Sequence, residues 1–478
     1  MSAVLLESLS AWWPEVILSV GGLLVILCGA WTRRAQPALA ATWATLLAAA
    51  VALGRTVPPT ADLFFGLIVC DPFSLVFRWL ALSTTMLVVL MVMGSREVAA
   101  SLRGEYLGLL LFIAVGLMVM AEANHLLMAY VGMELVSLSS YALVGFLEDR
   151  RSAEASLKYL LFGALSSAIM LFGMSLLFGL TGQLGFAAIR QSCAGLSGAM
   201  AAALHLAVLL MFAGLAFKIS LVPFHMWTPD AYEGAPVPVA ALLSVGPKAA
   251  GLALLARLLQ ALHPAWEGFA PTVLVLTVVT MTLGNVVALV QTNAKRLLAY
   301  STIGQVGYLL IGLTVDTSQG LQGLLVYLAA YLFMNLGLFA CLVAVVNETG
   351  SESVDAFRGL AGRSPMLALA CALFLLSLAG IPPLLGFFGK FLLFGAAIES
   401  QHVGLAVAGI LNSAVALYYY VNLIRLMYFA GPSGAKPFRP SPALGIALAV
   451  CAAATLFLGL FPGKLFELSG AGTMVNLL

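Results

Sequence analysis

Apolar runs long enough to cross a lipid bilayer follow one another along nearly the whole chain. Fourteen such runs, most of them close to the roughly 20 residues that the hydrocarbon core requires, fit into 478 residues. With 62% hydrophobic and only 9% charged residues, the chain carries far less charge than the roughly 25% of soluble domains. The sequence therefore predicts an all-α polytopic membrane protein with about fourteen transmembrane helices. The predicted spans are 14–31, 38–53, 72–93, 106–120, 125–147, 156–180, 202–232, 237–261, 271–290, 297–315, 321–346, 365–398, 403–429 and 443–461.

Two of these spans are too long for one crossing and contain proline. Pro223 interrupts span 202–232, and the pair Pro382 and Pro383 interrupts span 365–398. Because proline lacks a backbone donor and clashes with the preceding turn, both helices are expected to break near the bilayer midplane. Each break falls in the fourth of five consecutive spans, and a repeat with an odd number of spans must be inverted in its second copy.

The predicted organisation follows from these repeats. Helices 1–3 occupy residues 1–104, the first five-helix repeat occupies 105–262, and the second, inverted repeat occupies 263–430. A last helix and a short tail fill 431–478.

Basic residues predict the orientation, because cytoplasmic loops carry the excess of lysine and arginine. The loops after odd-numbered spans hold most of them, which places both termini outside. The net charge of +2 is too small to indicate a nucleic-acid partner. The basic residues on the predicted cytoplasmic side are Arg33, Arg34, Arg96, Arg103, Arg150, Arg151, Lys295, Arg296, Arg358, Arg363, Lys436 and Arg439, against Arg55, Arg190, Lys464 and, if exposed, Arg257 on the other side.

Of the ionisable residues inside predicted spans, four lie deep in apolar sequence: Glu134, Lys218, Lys248 and Lys390. A charge at membrane depth costs at least about 2.5 to 3.5 kcal/mol, so each is by default a functional hypothesis. Structural alternatives exist for three of them. Glu134 could accept serine or tyrosine hydrogen bonds, Lys218 could cap the first half-helix, and Lys390 could lie at an interface. Lys248 is too far from either end of its span to reach the membrane surface.

A second group of polar residues lies at the edges of the spans. Lys158 is near a cytoplasmic entrance and could extend to the surface, and His225, just after Pro223 in the first break, could bind a loop carbonyl. Asp230 and Glu233 sit at the cytoplasmic mouth, where they could be ordinary solvated turn residues. Arg78 has no partner that the sequence identifies.

Buried lysines favour proton transfer over metal or nucleotide chemistry. A desolvated ammonium gives up its proton more readily, and a nearby acid such as Glu134 opposes that release. Lysines do not coordinate Na⁺, and the sequence shows no dense group of carboxylate ligands. It contains no Walker motif, no dinucleotide-binding motif and no haem or iron–sulfur spacing. The energy for transport is therefore expected to come from other subunits.

Four segments resemble a known family. They are GMELVSLSSYAL (132–143), KISLVPFHMWTPDAYEGAPVPV (218–239), QTNAKRLLAYSTIGQVGYLL (291–310) and LSLAGIPPLLGFFGKF (376–391). In this order they are similar to the antiporter-like proton-translocating subunits of respiratory complex I. The resemblance covers about 105–429.

The resemblance implies fourteen helices, inverted five-helix repeats with two broken helices, and a central axis of buried charge. Carried over residue by residue, the proton pathway comprises Glu134, Lys158, Lys218, Lys248 and Lys390. It further implies that this chain holds no cofactor, whereas NADH, FMN, iron–sulfur clusters and quinone belong to partner subunits. Those partners include sibling antiporter-like subunits in a bacterial inner membrane.

Within the family, two features point to the subunit N branch. The long lateral helix of subunit L is missing after the last span, and the twelfth helix carries a lysine, Lys390, where subunit M carries an acid. Multisubunit Na⁺/H⁺ antiporters share the fold and remain an alternative, as does a scaffold that conducts nothing. For a conducting subunit, we expect a hydrated chain in the order Lys218, Lys248, Lys390, with Lys390 at the outward end.

Overall fold

The computed structural model describes residues 2–56, 61–431 and 436–473, and these residues are almost entirely helical. Two short strands form the one hairpin in this part of the chain, and four short 3₁₀ turns connect helices (Phe64–Gly66, Ala100–Leu102, His263–Ala265 and Val354–Phe357). The elements are α1 Ser2–Ala11, α2 Trp13–Thr32, α3 Ala35–Arg55, β1 Ala61–Leu63, β2 Ile68–Cys70, α4 Pro72–Gly94, α5 Arg103–Glu122, α6 Leu126–Val144, α7 Arg150–Thr181, α8 Phe186–Cys193, α9 Ala199–Ile219, α10 Trp227–Gly234, α11 Val237–Ala261, α12 Trp266–Ala288, α13 Ala294–Thr314, α14 Ser318–Thr349, α15 Leu360–Arg363, α16 Pro365–Ala379, α17 Leu385–Glu399, α18 Val403–Phe429, α19 Pro442–Leu460 and α20 Gly463–Thr473.

The predicted fourteen spans are confirmed. Thirteen helices in the described part are long and apolar enough to cross a membrane, and the α16–α17 pair supplies the fourteenth. Local capping explains several boundaries. The Asp71 carboxylate accepts a hydrogen bond from the Ser74 amide at 2.7 Å and the Ser74 hydroxyl accepts one from the Asp71 amide, which begins α4. The Asn293 side chain accepts from the amides of Lys295 and Arg296 and begins α13.

The two broken helices are also present. Helix α9 ends at Ile219, the chain turns through Ser220 at φ 64°, and α10 begins at Trp227. Helix α16 ends before Gly380 at φ 90°, a conformation that favours glycine, and α17 begins at Leu385. The second break leaves two helices of 15 residues each, whereas the first leaves 21 and 8 residues, so the two breaks are not equally central.

Several short elements were not predicted from the sequence. They are α1, the β1–β2 hairpin, α8 and α20, which occupies part of what was expected to be a short tail. Strands of three residues and helices of 8 to 11 residues are too short for hydrophobic periodicity to identify. The hairpin lies against the end of α5 through a bridge between Ile68 and Ala123.

Corresponding helices pack alike in the two repeats. In the first, α5 packs on α6, and α7 packs on both halves of the broken helix, α9 and α10; in the second, α12 packs on α13, and α14 packs on both halves, α16 and α17. Helix α11 ends the first repeat and is surrounded by α4, α5, α9, α13 and α14. Helices α11 and α13 are the most completely buried of the long helices, so any polar side chain on them faces protein rather than lipid.

Candidate functional site

Lys218 is buried at the end of α9, immediately before the first helix break. Its Nζ donates to the Ser137 hydroxyl at 2.9 Å and to the Met133 carbonyl at 3.3 Å, both on α6. The side chain is 1% exposed. The amine therefore reaches across to the helix that carries Glu134.

Glu134 itself has a different direct partner from the one that the sequence suggested. Its Oε1 accepts from the Ser167 hydroxyl of α7 at 2.5 Å, and no lysine nitrogen in the described part of the chain lies within 4 Å of its carboxylate. This serine hydrogen bond is the structural alternative for Glu134, whereas the sequence favoured a lysine partner through direct or water-mediated charge. Lys218 nevertheless contacts the turn of α6 that carries Glu134, because its partners Met133 and Ser137 lie one residue before and three residues after Glu134.

Lys248 lies fully buried on α11, directly after Pro247. Its Nζ has no hydrogen-bond partner among the described residues. The amine lies 4.6 Å from the ring centre of Trp227 and 5.6 Å from that of Tyr232, a geometry that stabilises a cation over aromatic faces. The rings of Trp227 and Tyr232 thus take the place that a carboxylate occupies beside a paired lysine.

Trp227 is held rigidly beneath this amine. Its indole N–H donates to the Phe217 carbonyl at 3.0 Å, and its ring stacks on Tyr159 with 4.2 Å between centres. Because Phe217 precedes Lys218, the tryptophan connects the first break to the position of Lys248.

Gly251, one helical turn beyond Lys248, brings the two lysines together. A Cβ added there would lie 2.5 Å from Ile219 and 3.8 Å from the Lys218 side chain. Helix α11 therefore approaches the end of α9 closely on the face that also carries Lys248.

Lys390 points back into the second helix break. Its Nζ donates to the carbonyls of Leu378 at 3.0 Å and Ala379 at 3.3 Å, and to the Ser413 hydroxyl at 3.2 Å. The amine also lies 4.5 Å from the ring centre of Tyr308. It occupies the carbonyl end of α16, where a cation is favoured by the helix dipole.

A polar stripe, which sequence reasoning missed, begins beside Lys248. On α14, residues Tyr327, Tyr331 and Asn335 recur every four positions and so share one helix face. Asn335 donates to the Ser244 hydroxyl of α11 at 2.6 Å, and Tyr331 donates to Thr302 of α13 at 3.0 Å. Ser244 precedes Lys248 by one turn. The four-residue spacing within an apolar helix was the signal that could have identified this face.

The stripe continues along α13 toward Lys390. Tyr327 donates to the amide oxygen of Gln305, and the amide nitrogen of Gln305 donates to the Tyr420 hydroxyl at 3.0 Å. Farther along α13, Tyr308 accepts from Asn285 at 2.9 Å and lies beneath Lys390. The polar stripe thus comprises Ser244, Thr302, Gln305, Tyr308, Tyr327, Tyr331, Asn335 and Tyr420, all buried.

An ionic network lies where α7, α10 and α13 meet. Lys158 is 44% exposed and pairs with Glu154 at 2.9 Å and Asp230 at 3.1 Å. Arg296 binds both Asp230 and Glu233 at 2.8 Å. The two acids lie on helix α10 in ion pairs, rather than in a solvated turn. The network borders a cavity of about 200 Å³.

His225 belongs to the segment between α9 and α10. Its side chain is largely buried, and Nδ1 has no hydrogen-bond partner among the described residues. The ring instead has a hydrogen bond to the backbone of Pro223, which is the loop-carbonyl bond that the sequence offered as an alternative.

Glu352, in the loop after α14, lies at the same end of the bundle as the ionic network around Lys158, Asp230 and Arg296. Its carboxylate is 2.5 Å from Lys295 and 2.7 Å from Arg151. Burial raises the pKa of Glu352, but the charges of Lys295 and Arg151 outweigh burial, so the net pKa lies below its ordinary value of 4.5. A carboxylate with a depressed folded-state pKa contributes stability above its unfolded pKa, and this contribution is lost as pH falls through the folded pKa.

We therefore expect Glu352→Gln to lower the thermal unfolding midpoint at neutral pH. The difference from wild type should shrink as the pH drops below 4.5, because protonation then removes the same charge in the wild-type chain. Unfolding midpoints across an acid pH series would measure this. Asp355→Asn, at a carboxylate that is 74% exposed, is the control and should shift the midpoint little. A difference that stays constant on acidification would contradict the ion-pair account.

A second buried ionic cluster surrounds Arg78, whose partners the sequence did not reveal. Arg78 contacts the Glu15 carboxylate at 2.7 and 2.8 Å and Glu122 Oε1 at 3.0 Å. The Trp12 indole N–H donates to the second Glu122 oxygen at 3.1 Å. All three charged side chains are 0 or 1% exposed. Arg257, whose exposure the sequence left open, is likewise buried and binds both Asp71 oxygens at 2.8 and 3.0 Å.

Among the described residues, no group of three or more histidine, cysteine, aspartate or glutamate side chains is placed to hold a metal ion.

Comparison with known proteins places the chain in a family. Residues 123–416 match the family described as NADH:quinone oxidoreductase/Mrp antiporter, TM. The NADH-quinone oxidoreductase subunit N of Anaeromyxobacter sp. (strain Fw109-5) is 42% identical over 95% of this chain and 94% of that protein.

Solved structures show the same fold. A chain of respiratory complex I from Thermus thermophilus, solved with bound aureothin, is 34% identical and superposes with a TM-score of 0.80 over 95% of this chain and 98% of that one. A chain of the Mrp complex from Dietzia sp. DQ12-45-1b has a TM-score of 0.86 over 98% of this chain and 97% of that one, but at 22% identity it shows the fold alone.

Proposed function

The chain belongs to the NADH-quinone oxidoreductase subunit N family, and from that premise we propose that it carries protons across the membrane through Glu134, Lys218, Lys248 and Lys390. It is a multi-pass membrane subunit of an NADH:quinone oxidoreductase and works beside other complex I subunits. We assign NADH, FMN, iron–sulfur clusters and quinone to those partners, so that transport here is coupled to quinone reduction elsewhere.

The observation that carries this proposal is the burial of three lysines without acids. Lys218, Lys248 and Lys390 are 1%, 0% and 4% exposed, and within the described residues none has a carboxylate oxygen within 4 Å. A purely structural buried charge is normally paired, because an unpaired one costs several kcal/mol. Their arrangement along the interior is better explained by proton exchange than by stability.

The groups between the lysines are suited to relaying protons. Hydroxyl and amide side chains both donate and accept hydrogen bonds, and the polar stripe extends from one turn before Lys248 to the ring beneath Lys390. Lys218 reaches Ser137, and the unpartnered amine of Lys248 is open to bonds with water. Each step is then the transfer of one proton from an ammonium to water or a hydroxyl, which passes a proton onward.

We also propose a direction for this path. The ionic network around Lys158, Asp230 and Arg296 lies beside α10 and forms the cytoplasmic entrance, with both termini on the opposite side. Lys390, in the inverted repeat, then lies toward the outward exit, and Lys390→Ala should impair release more than loading. His225, in the first break, stays a candidate for the entrance.

Glu134 offers a test of the proposal. We expect Glu134→Ala to reduce protons pumped per quinone reduced, because the charge beside Lys218 is lost, whereas Glu134→Asp should retain much of the activity. The assay reconstitutes the complex in liposomes and follows both lumen pH and NADH oxidation. Glu348→Ala, which removes an exposed acid at the end of α14, is the matched control. Full pumping by Glu134→Ala would exclude Glu134 from the path.

A further inference from the structure

An apolar groove opens between the beginnings of α16 and α19. It encloses about 900 Å³ and lies at the end of the bundle where both helices start, away from the buried lysines. Its walls are formed mainly by proline, alanine, leucine and methionine, and no aspartate or glutamate contributes to them. The lining includes Arg363, Met366, Leu367, Phe438, Arg439 and Leu448.

Two arginines give the mouth of this groove a positive charge. Arg439 is exposed, whereas Arg363 is only 6% exposed. One terminal nitrogen of Arg363 donates to the Ala356 carbonyl at 3.2 Å, and its guanidinium lies 5.3 Å from the ring centre of Phe438. Its Nε has no hydrogen-bond partner among the described residues. A buried guanidinium with a free donor and no acid beside it indicates a missing anion.

Two helix N-termini converge on the same place. Helix α16 begins at Pro365 without a side-chain cap, so the amides of Met366 and Leu367 lie in an uncapped first turn beside the groove. Helix α19 begins at Pro442, and the Ser441 hydroxyl lies 3.5 Å from the Leu444 amide. The positive end of a helix and its free amides favour phosphate.

We propose that this groove binds an anionic phospholipid. The phosphate lies between Arg363, Arg439 and the first turn of α16, and an acyl chain follows the apolar wall past Leu448. A phosphate diester supplies the hydrogen-bond acceptors that Arg363 lacks. An anionic lipid fits better than a zwitterionic one, because its headgroup brings no positive charge beside the two arginines. The apolar wall distinguishes a lipid from free phosphate, which would leave it uncovered.

Photo-crosslinking on the intact complex tests the site. The probe is phosphatidylglycerol with a photoactivatable acyl chain, incorporated into nanodiscs. We expect labelling of α16 and α19, and Arg439→Gln should reduce it roughly tenfold, as expected for the loss of one charge-assisted hydrogen bond. Lys436→Gln is the matched control, because Lys436 is an exposed cation three residues away that does not line the groove.

Four outcomes would overturn the proposal. These are equal labelling in Arg439→Gln and wild type, equal labelling by a photoactivatable phosphatidylcholine, full competition by inorganic phosphate, and capture of a partner-subunit segment in place of the lipid probe. Arg363→Gln should weaken labelling as well. If that variant misfolds, the exposed Arg439 position still decides the question.

Discussion

Lys248→Met should abolish proton pumping by the complex while the subunit remains folded. The amine of Lys248 has no hydrogen-bond partner among the described residues and contacts two aromatic rings. Replacing an unpaired buried charge with an apolar side chain of similar length removes a desolvation penalty and breaks no hydrogen bond. We expect transport to fall to the background of protein-free liposomes and the unfolding midpoint to stay equal or rise. Lumen acidification and thermal unfolding on the same preparation measure both.

Two further variants sharpen this result. Lys248→Arg retains the charge but does not release its proton in the physiological range, so it should also block pumping. Lys464→Met removes an exposed lysine on α20 and should leave pumping unchanged. Wild-type pumping in Lys248→Met would show that the subunit conducts by another route or serves as a scaffold.

Among the variants proposed for this chain, Arg78→Met should lower the free energy of unfolding the most. It leaves the Glu15 and Glu122 carboxylates buried side by side without their shared cation. Removing one partner of a buried ion pair typically costs about 3 to 5 kcal/mol, and two carboxylates depend on this arginine. The free energy of unfolding in mixed micelles, measured by chemical denaturation, should fall by at least that amount.

A triple variant distinguishes the effect of the unpaired charges on stability from the effect of side-chain packing. The triple variant Glu15→Gln, Arg78→Met, Glu122→Gln contains no unpaired charge at this cluster and should recover much of the stability. If the triple variant is as unstable as Arg78→Met, the side-chain shape of the arginine matters more than its charge. An unchanged stability in Arg78→Met alone would contradict the ion-cluster account.

The sequence predicted the helices and breaks well because those signals are local. A run of apolar residues or a proline acts within its own helix, and the predicted bounds of the spans at Val237–Ala261 and Val403–Phe429 match the structure. The buried lysines were found for the same reason, since a charge in an apolar run is visible without any partner.

What the sequence did not reveal depends on contacts between distant segments. Arg78 binds Glu15 and Glu122, which lie 63 and 44 residues away. The polar stripe consists of tyrosine, asparagine, glutamine, serine and threonine side chains, which indicate little until packing places them together. The Glu134 carboxylate binds Ser167 of α7, a partner residue that no local pattern in the sequence identifies.

The hydrogen bonds of Lys390 link its protonation to the residues of the second helix break. An ammonium has three N–H bonds, and Lys390 meets three acceptors, namely the Leu378 and Ala379 carbonyls and the Ser413 hydroxyl. Once the proton leaves, the neutral amine keeps two N–H bonds for the two carbonyls and gains a lone pair, so the Ser413 hydroxyl must turn from accepting to donating a hydrogen bond. Lys218 has two acceptors and Lys248 has none within the described chain. Of the three, only Lys390 must rearrange its hydrogen bonds to the described chain when its protonation changes, so we expect the Ser413 hydroxyl beside the second break to reverse with each proton that Lys390 gains or loses.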